Sequence, residues 1–309
     1  MTNKSAESSF FIHTKDNKKI FIYCWDDVIS PKGVIQIVHG MAEHAGRYEE
    51  FAKFLNSHGF IVYAGDHRGH GKTDELNLGY IGRDGFNKVV EDQHVLLSSI
   101  KSKYSNLPII FFAHSFGSFI GQEYIIRYGN ELSGIILSGS AMRKGIDVDA
   151  GIVISYFQKN IFGERKESKL LDFLSFYNYN KKIKNSASKF SWLTTDELEI
   201  KNYENDPLCG NTATCGFYYY FLRGLKNLYR TNRLKEIPKD LPILIISGDD
   251  DPVGNYGKWV RKLYNLYKNL QLENVNIKLY PGKRHELTNE TDKKEIFLNL
   301  LNWAEKNCL

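Results

Sequence analysis

The chain has 309 residues, 42% of them hydrophobic and 25% charged, a balance of ordinary globular usage that suffices for a large core. Its 41 Lys and Arg against 36 Asp and Glu leave a formal charge of +5, too mild to point to nucleic acid as a partner. No stretch approaches the roughly 18 apolar residues of a membrane span, and the opening "MTNKSAESSFFIHTKDNKKIFIY" lacks the apolar core of a secretory signal, so a soluble cytoplasmic protein is expected.

Two short runs open the chain, 9–13 (SFFIH) and 19–25 (KIFIYCW). The intervening "TKDNK" is too short for a crossover helix, which predicts an antiparallel pair. Six further β-branched and aromatic runs follow at 34–38, 60–64, 108–113, 134–138, 242–247 and 275–280, nearly all apolar, as strands covered on both faces must be. Amphipathic segments at 45–57, 86–103, 116–128, 256–270 and 291–306 predict helices, the last capped by Asn289 or Thr291. This alternation is that of βαβ units around a mostly parallel sheet, an α/β fold.

From about 140 to 210 the rhythm stops and the chain becomes rich in Lys, Asn, Tyr and Phe, as in "LLDFLSFYNYNKKIKNSASKF". A structureless loop of that length does not suit a compact domain. The expectation is a mainly helical cap at 140–210 inserted into a core made of 1–139 and 211–309. Cys24, Cys209, Cys215 and Cys308 show no C-x-x-C spacing, so they read as free thiols and not as a zinc or redox site.

The chemistry starts at "FFAHSFGSF", 111–119, where an apolar strand ends at a serine and a helix with small residues begins at once. Strand, sharp turn and helix make a nucleophile elbow, in which the hydroxyl stands clear of the sheet and small residues let strand and helix pass closely. The positions two before and two after Ser115 are Ala113 and Gly117, so the G-x-S-x-G pattern is missed by one methyl group. The bland alternative is a strand-end serine that caps a helix. A serine hydroxyl needs an imidazole to take its proton and a carboxylate to orient that imidazole. His285, in "PGKRHELTNE" after the last strand, is the only histidine downstream of Ser115. "GDDDPVG" after the strand at 242–247 offers Asp249, Asp250 and Asp251, and the spacing and Pro252 favour Asp251. The oxyanion hole of such an elbow takes the amide after the nucleophile, here Phe116, and one from the loop after the third strand, where "HGMAEHAGRY" suggests Met41.

Four motifs, "HGMAEHAGRY" (39–48), "GDHRGHGKTD" (65–74), "AHSFG" (113–117) and the pair "SGDDDPVGN" with "PGKRHELTNE", resemble the monoacylglycerol lipase and lysophospholipase-like branch of the α/β-hydrolase superfamily, the group filed with serine aminopeptidases. "YENDPLCG" (203–210) resembles the end of that branch's cap. The resemblance spans nearly the full length. It implies an eight-stranded α/β-hydrolase sheet with a lid, Ser115 as nucleophile, Asp251 as orienting acid, His285 as base, Met41 and Phe116 as oxyanion donors, and no cofactor or metal. In "DHRGHGKT" it implies a structural turn, with Asp66 and Arg68 bonded to loop backbone near the site and not a metal cluster.

Further candidates are weaker. Glu43, with Arg47 and Tyr48, reads either as a contact for a substrate headgroup or as helix-start packing. His114 reads as a structural hydrogen-bonding residue or a substrate contact, and Tyr179 is a candidate substrate contact in the cap. Residues 158–189 hold eight Lys or Arg against three acids, interleaved with aromatics. They form either a solvated face or a surface that meets anionic lipid or phosphate. The expected activity is hydrolysis of a lipid carboxylic ester through an acyl-enzyme. A thioester or amide cut by the same residues, and a non-catalytic binding module, are the competing readings.

Overall fold

The computed structural model describes residues 8–184 and 186–309; the start of the leaderless N-terminus expected from the sequence lies outside them. Eight strands form one sheet in the order β1-β2-β4-β3-β5-β6-β7-β8. β1 (Ser8–His13) pairs antiparallel with β2 (Lys19–Trp25), and β2 antiparallel with β4 (Phe60–Gly65). The rest run parallel: β3 (Gly33–Val38), β5 (Ile109–His114), β6 (Gly134–Ser138), β7 (Ile243–Gly248) and β8 (Val275–Tyr280). Strand order reverses between β3 and β5. The carboxyl ends of such a pair bound a crevice, and loops from both meet there.

Helices cover both faces because the central strands are apolar on both. α1 (Glu49–Ser57) and α10 (Lys293–Cys308) bury Phe51, Leu55, Phe297 and Leu300 against one face. α2 (Gly85–Lys103), α3 (Phe116–Tyr128) and α9 (Lys258–Asn269) bury Val89, Leu97, Ile120 and Leu263 against the other. β8 departs from expectation. It alternates, with Asn276 exposed, because it is an edge strand packed on one side only. The cap of α10 also differs from expectation: Asp292 occupies the N-cap, and the Asn289 amide donates to Glu286 instead.

Between β6 and β7 lie α4 (Ile146–Phe162), α5 (Lys169–Phe176), α6 (Glu197–Asn205), α7 (Cys215–Leu228) and the short α8 (Thr231–Leu234). The sequence reading placed no helix between 210 and the strand at 242–247. α7 is there because Thr214 caps it, its hydroxyl accepting from the Phe217 amide at 3.2 Å. It packs on α4 and also on α2 and α3, so it joins the inserted helices to the core. All four cysteines are free. No helix among the described residues is long and apolar enough to cross a membrane.

Candidate active site

β5 ends at His114 and α3 begins at Phe116, which leaves Ser115 alone in the turn at φ 52° and ψ −118°. That backbone is strained for a residue with a Cβ. It is held by the Ser115 amide, which donates to the Ser138 carbonyl of β6 at 2.9 Å. α3 then passes close over the end of β3. A Cβ on Gly117 would lie 2.1 Å from the Val38 carbonyl oxygen, so only glycine fits. Ala113 is tolerated because its methyl faces Gly121, where an added Cβ would stand 3.0 Å away.

His285 and Asp251 meet as the loops after β8 and β7 converge. His285 Nδ1 and Asp251 Oδ2 are 2.9 Å apart, and both side chains are buried. Asp251 also accepts from the Val253 amide at 2.8 Å and the Ser247 hydroxyl at 3.0 Å. Burial works against its charge, yet the neighbouring His285 and these donors outweigh burial and hold its carboxyl below the ordinary range. Burial likewise favours a neutral His285, but the charge and hydrogen bond of Asp251 prevail and raise its pKa. The other two aspartates lie elsewhere: Asp249 accepts from the Gly282 amide at 2.7 Å, and Asp250 is exposed. His285 Nε2 is buried and bonded to nothing among the described residues. It faces a cavity of about 990 Å³ that Ser115, Met41 and Phe116 also line. Phe116 opens α3, so its amide is one of the donors that a helix start leaves unpaired.

The remaining candidates sit around this centre. His114 packs against His285 with ring centroids 4.7 Å apart and the rings tilted by 50°, and its Nδ1 lies 3.4 Å from the Ser138 hydroxyl. Burial and then the charge of His285 push its pKa down to about 3, so it stays neutral. Tyr179 lines the cavity with its ring edge-on to Trp192 at 4.9 Å. Glu43 has both oxygens engaged, accepting from the Gly40 amide at 2.5 Å, Tyr48 at 2.9 Å and Arg47 at 2.6 Å. Its carboxylate therefore shapes the loop that carries Met41. Arg47 also grips Glu286 through two 2.7 Å bonds.

In the "DHRGHGKT" turn, Asp66 accepts from the Ala45 and Lys72 amides at 2.8 and 2.7 Å. Arg68 does not bond to loop backbone as expected; it pairs with Asp92 and Asp16, which lie nearer to it. One trio could bring three metal-type ligand atoms within 4.8 Å of one another: His44, Asp206 and Cys209. His44 Nδ1, however, accepts from the Gly46 amide at 3.2 Å, which leaves the proton on Nε2 to donate to Asp206 at 2.8 Å. Burial pushes the Cys209 thiol up, so it keeps its proton. The trio is a hydrogen-bonded junction.

Residues 29–292 match the family described as serine aminopeptidase, S33. The chain belongs to this family. A monoglyceride lipase homolog of Monkeypox virus is 29% identical to it over 297 residues, which span 93% of this chain and 95% of that protein. A monoacylglycerol lipase of Mycolicibacterium smegmatis is 28% identical across 90% of each chain. Among solved structures, a thermostable carboxyl esterase from Bacillus coagulans superposes with a TM-score of 0.90 at 28% identity and covers 98% of this chain and 99% of its own.

Several residues of this S33-family site carry no signal in the sequence. Trp192 packs on His285 with centroids 5.1 Å apart, and the Glu286 amide donates to Leu193 at 2.7 Å. Arg284 reaches the carbonyls of Ser191 and Thr194 at 2.7 and 2.8 Å. These contacts hold the loop of His285 against a segment some 90 residues earlier in the chain, and only tertiary packing brings the two together.

Proposed function

We propose that Ser115 is the nucleophile of an ester hydrolase, with His285 as its general base, Asp251 orienting the imidazole, and the Met41 and Phe116 amides receiving the oxyanion. The observation that carries the reading is the His285 imidazole, buried, fixed through Nδ1 by Asp251, and presenting a bare Nε2 to the cavity shared with the strained Ser115. Hydrogen bonds to the nucleophile often tighten only when substrate is bound. His285 takes the Ser115 proton during attack on the ester carbonyl and returns it to the leaving alcohol. Water then enters and gives a proton to His285 as its oxygen attacks the acyl carbon, and His285 passes that proton to the departing Ser115 oxygen as the acid is released.

The substrate is a lipid carboxylic ester of the monoacylglycerol or lysophospholipid type, and the relatives named above are lipases of the first of these. The cavity supports this. Beyond Ser115 it is walled by Val148, Ile154, Leu171, Phe176 and Leu222, an apolar lining suited to an acyl chain. Burial there is worth about 0.8 kcal/mol per methylene before ordering costs. Residues 140–210 act as the lid over the core. α4 and α5 also expose Phe157, Ile161, Phe162 and Phe173, and this face rests on a lipid surface to collect substrate.

A fluorophosphonate probe tests the site, with labelling expected for the wild type and abolished in Ser115→Ala. An unlabelled wild type would leave the fold as a binding module. A panel of p-nitrophenyl esters, monoacylglycerols, lysophospholipids and aminoacyl amides tests the substrate class; preference for the amides would overturn the lipid-ester reading.

A further inference from the structure

A second recess, of about 480 Å³, is bordered by residues of α2, α3, α7 and α8 and shares no lining residue with the large cavity. Six charged residues line it: Arg127, Arg223, Arg230 and Arg233 against Asp84 and Glu123. The acids are already engaged. Glu123 is buried at 1% exposure and accepts from Arg127 Nε at 2.6 Å and Arg233 Nη1 at 2.8 Å. Asp84 accepts from the Asn87 side-chain amide at 2.7 Å. Arg223 has only the Tyr219 hydroxyl, at 3.0 Å, and no carboxylate pairs with it or with Arg230 among the described residues.

Four guanidinium groups against two carboxylates leave the concavity net positive, and a charged recess concentrates its field. Two of them are fixed from behind by a buried carboxylate, which holds them in place and spares Arg223 and Arg230 for a ligand. A guanidinium fork matches the paired oxygens of a carboxylate or a phosphate, and the multiple charge of a phosphate answers two unpaired guanidinium groups at once. The geometry points to a binding site for a phosphate-bearing anion in this recess, gripped by Arg223 and Arg230 with Arg127 and Arg233 behind them. The same chemistry is offered by a free polyphosphate or phosphate ester and by a phospholipid headgroup. The site does not depend on the roles assigned to Ser115, Asp251 and His285.

The test uses the full chain at low ionic strength and two probes: inorganic pyrophosphate followed by calorimetry, and flotation with phosphatidylcholine vesicles containing phosphatidic acid or lacking it. Three proteins are compared: wild type, Arg223→Ala/Arg230→Ala, and a control, Lys262→Ala/Lys268→Ala, which removes two exposed charges from α9. Wild type and control should bind alike. The arginine double variant should bind about 10-fold more weakly or worse, with the ester turnover of all three unchanged as a check of folding. Binding should weaken as salt rises. Affinity for pyrophosphate assigns the site to a free phosphate, and affinity for phosphatidic acid vesicles alone assigns it to a headgroup. Wild type that binds neither probe, or a double variant that binds as wild type does, would overturn the proposal.

Discussion

The Tyr203 hydroxyl donates a 2.7 Å hydrogen bond to the carbonyl oxygen of Ala42. Ala42 sits at φ 56° next to Met41, and the same oxygen accepts from the Gly210 amide at 2.9 Å. Two residues from the segment before α7 thus fix the peptide beside the proposed oxyanion donor. Tyr203→Phe keeps the ring against Arg47 and deletes only the hydroxyl. One such bond contributes about 0.5–1.5 kcal/mol, so kcat should fall about 3- to 10-fold with KM unchanged. Steady-state kinetics on a p-nitrophenyl ester reads this, and an unaltered kcat would show that Gly210 alone holds the loop.

The His285–Asp251 pair sets the pH dependence. The base must be neutral to accept a proton, and Asp251 raises the His285 pKa above its usual 6.5. Activity should therefore be lost as pH falls through a value above 6.5 in the kcat/KM profile. In Asp251→Asn burial remains but the charge is gone. The acid limb should move to lower pH while kcat drops about 10⁴-fold. A limb that stays in place would mean that another group titrates.

Sequence alone gives the strands well, because central parallel strands are continuous apolar runs between turns. The proposed triad was legible for a related reason: each member follows a strand end, and chain order left His285 without a competitor. What escaped notice was set by tertiary contact. Trp192 and Tyr203 act on loops far away in the sequence, and α7 hides because "CGFYYYFL" has a strand-like composition that its cap and its packing on α4 override. Arg68 was assigned the wrong partners because Asp16 and Asp92 are brought to it only by the fold.

Close passage at the elbow predicts a coupled pair. Gly117→Ala forces its methyl against the Val38 and His39 carbonyls, at 2.1 and 2.5 Å. Stability should fall by at least the about 1–3 kcal/mol usual for overpacking, and probe labelling of Ser115 should fail. Gly121→Ala is milder, since the opposing atoms are side-chain carbons, the Ala113 methyl and Ile135 Cδ1 at 3.0 Å and Leu137 Cδ2 at 3.2 Å. Adding Ala113→Gly should recover part of that loss. A double-mutant cycle from urea unfolding with zero coupling energy would show that the two positions do not press on each other.

The exposed apolar face of α4 predicts a split between substrates. Phe157 and Phe162 are 58% and 62% exposed. Phe157→Ser/Phe162→Ser should lower turnover of monoacylglycerol in vesicles about 10-fold or more, because each ring contributes about 1.5–3 kcal/mol when it enters an apolar phase. Turnover of soluble p-nitrophenyl acetate should not change. An equal loss on both substrates would place these rings in lid packing and not at a lipid surface.

Arg47 pairs with two buried carboxylates, Glu43 and Glu286. Burial alone would raise the Glu286 pKa, but the charge and paired hydrogen bonds of Arg47 overcome it and hold the carboxyl down at about 2. Because the folded value lies below the ordinary 4.5, Glu286 contributes stability that is present above pH 4.5 and lost as pH falls from there toward 2. Arg47→Ala leaves both acids buried without a cation, which should cost about 3–5 kcal/mol at pH 7. Burial raises the pKa of a carboxyl that lacks its cation, so the variant's acids take up protons and cease to repel before their ordinary range is reached, and the gap from wild type should narrow as the solution is acidified. Urea midpoints for both proteins between pH 7 and pH 3 measure this directly. A gap that stays constant across that range would mean that Arg47 stabilises the loop by packing against Tyr203, whose ring lies 4.8 Å from the guanidinium, and not by its charge.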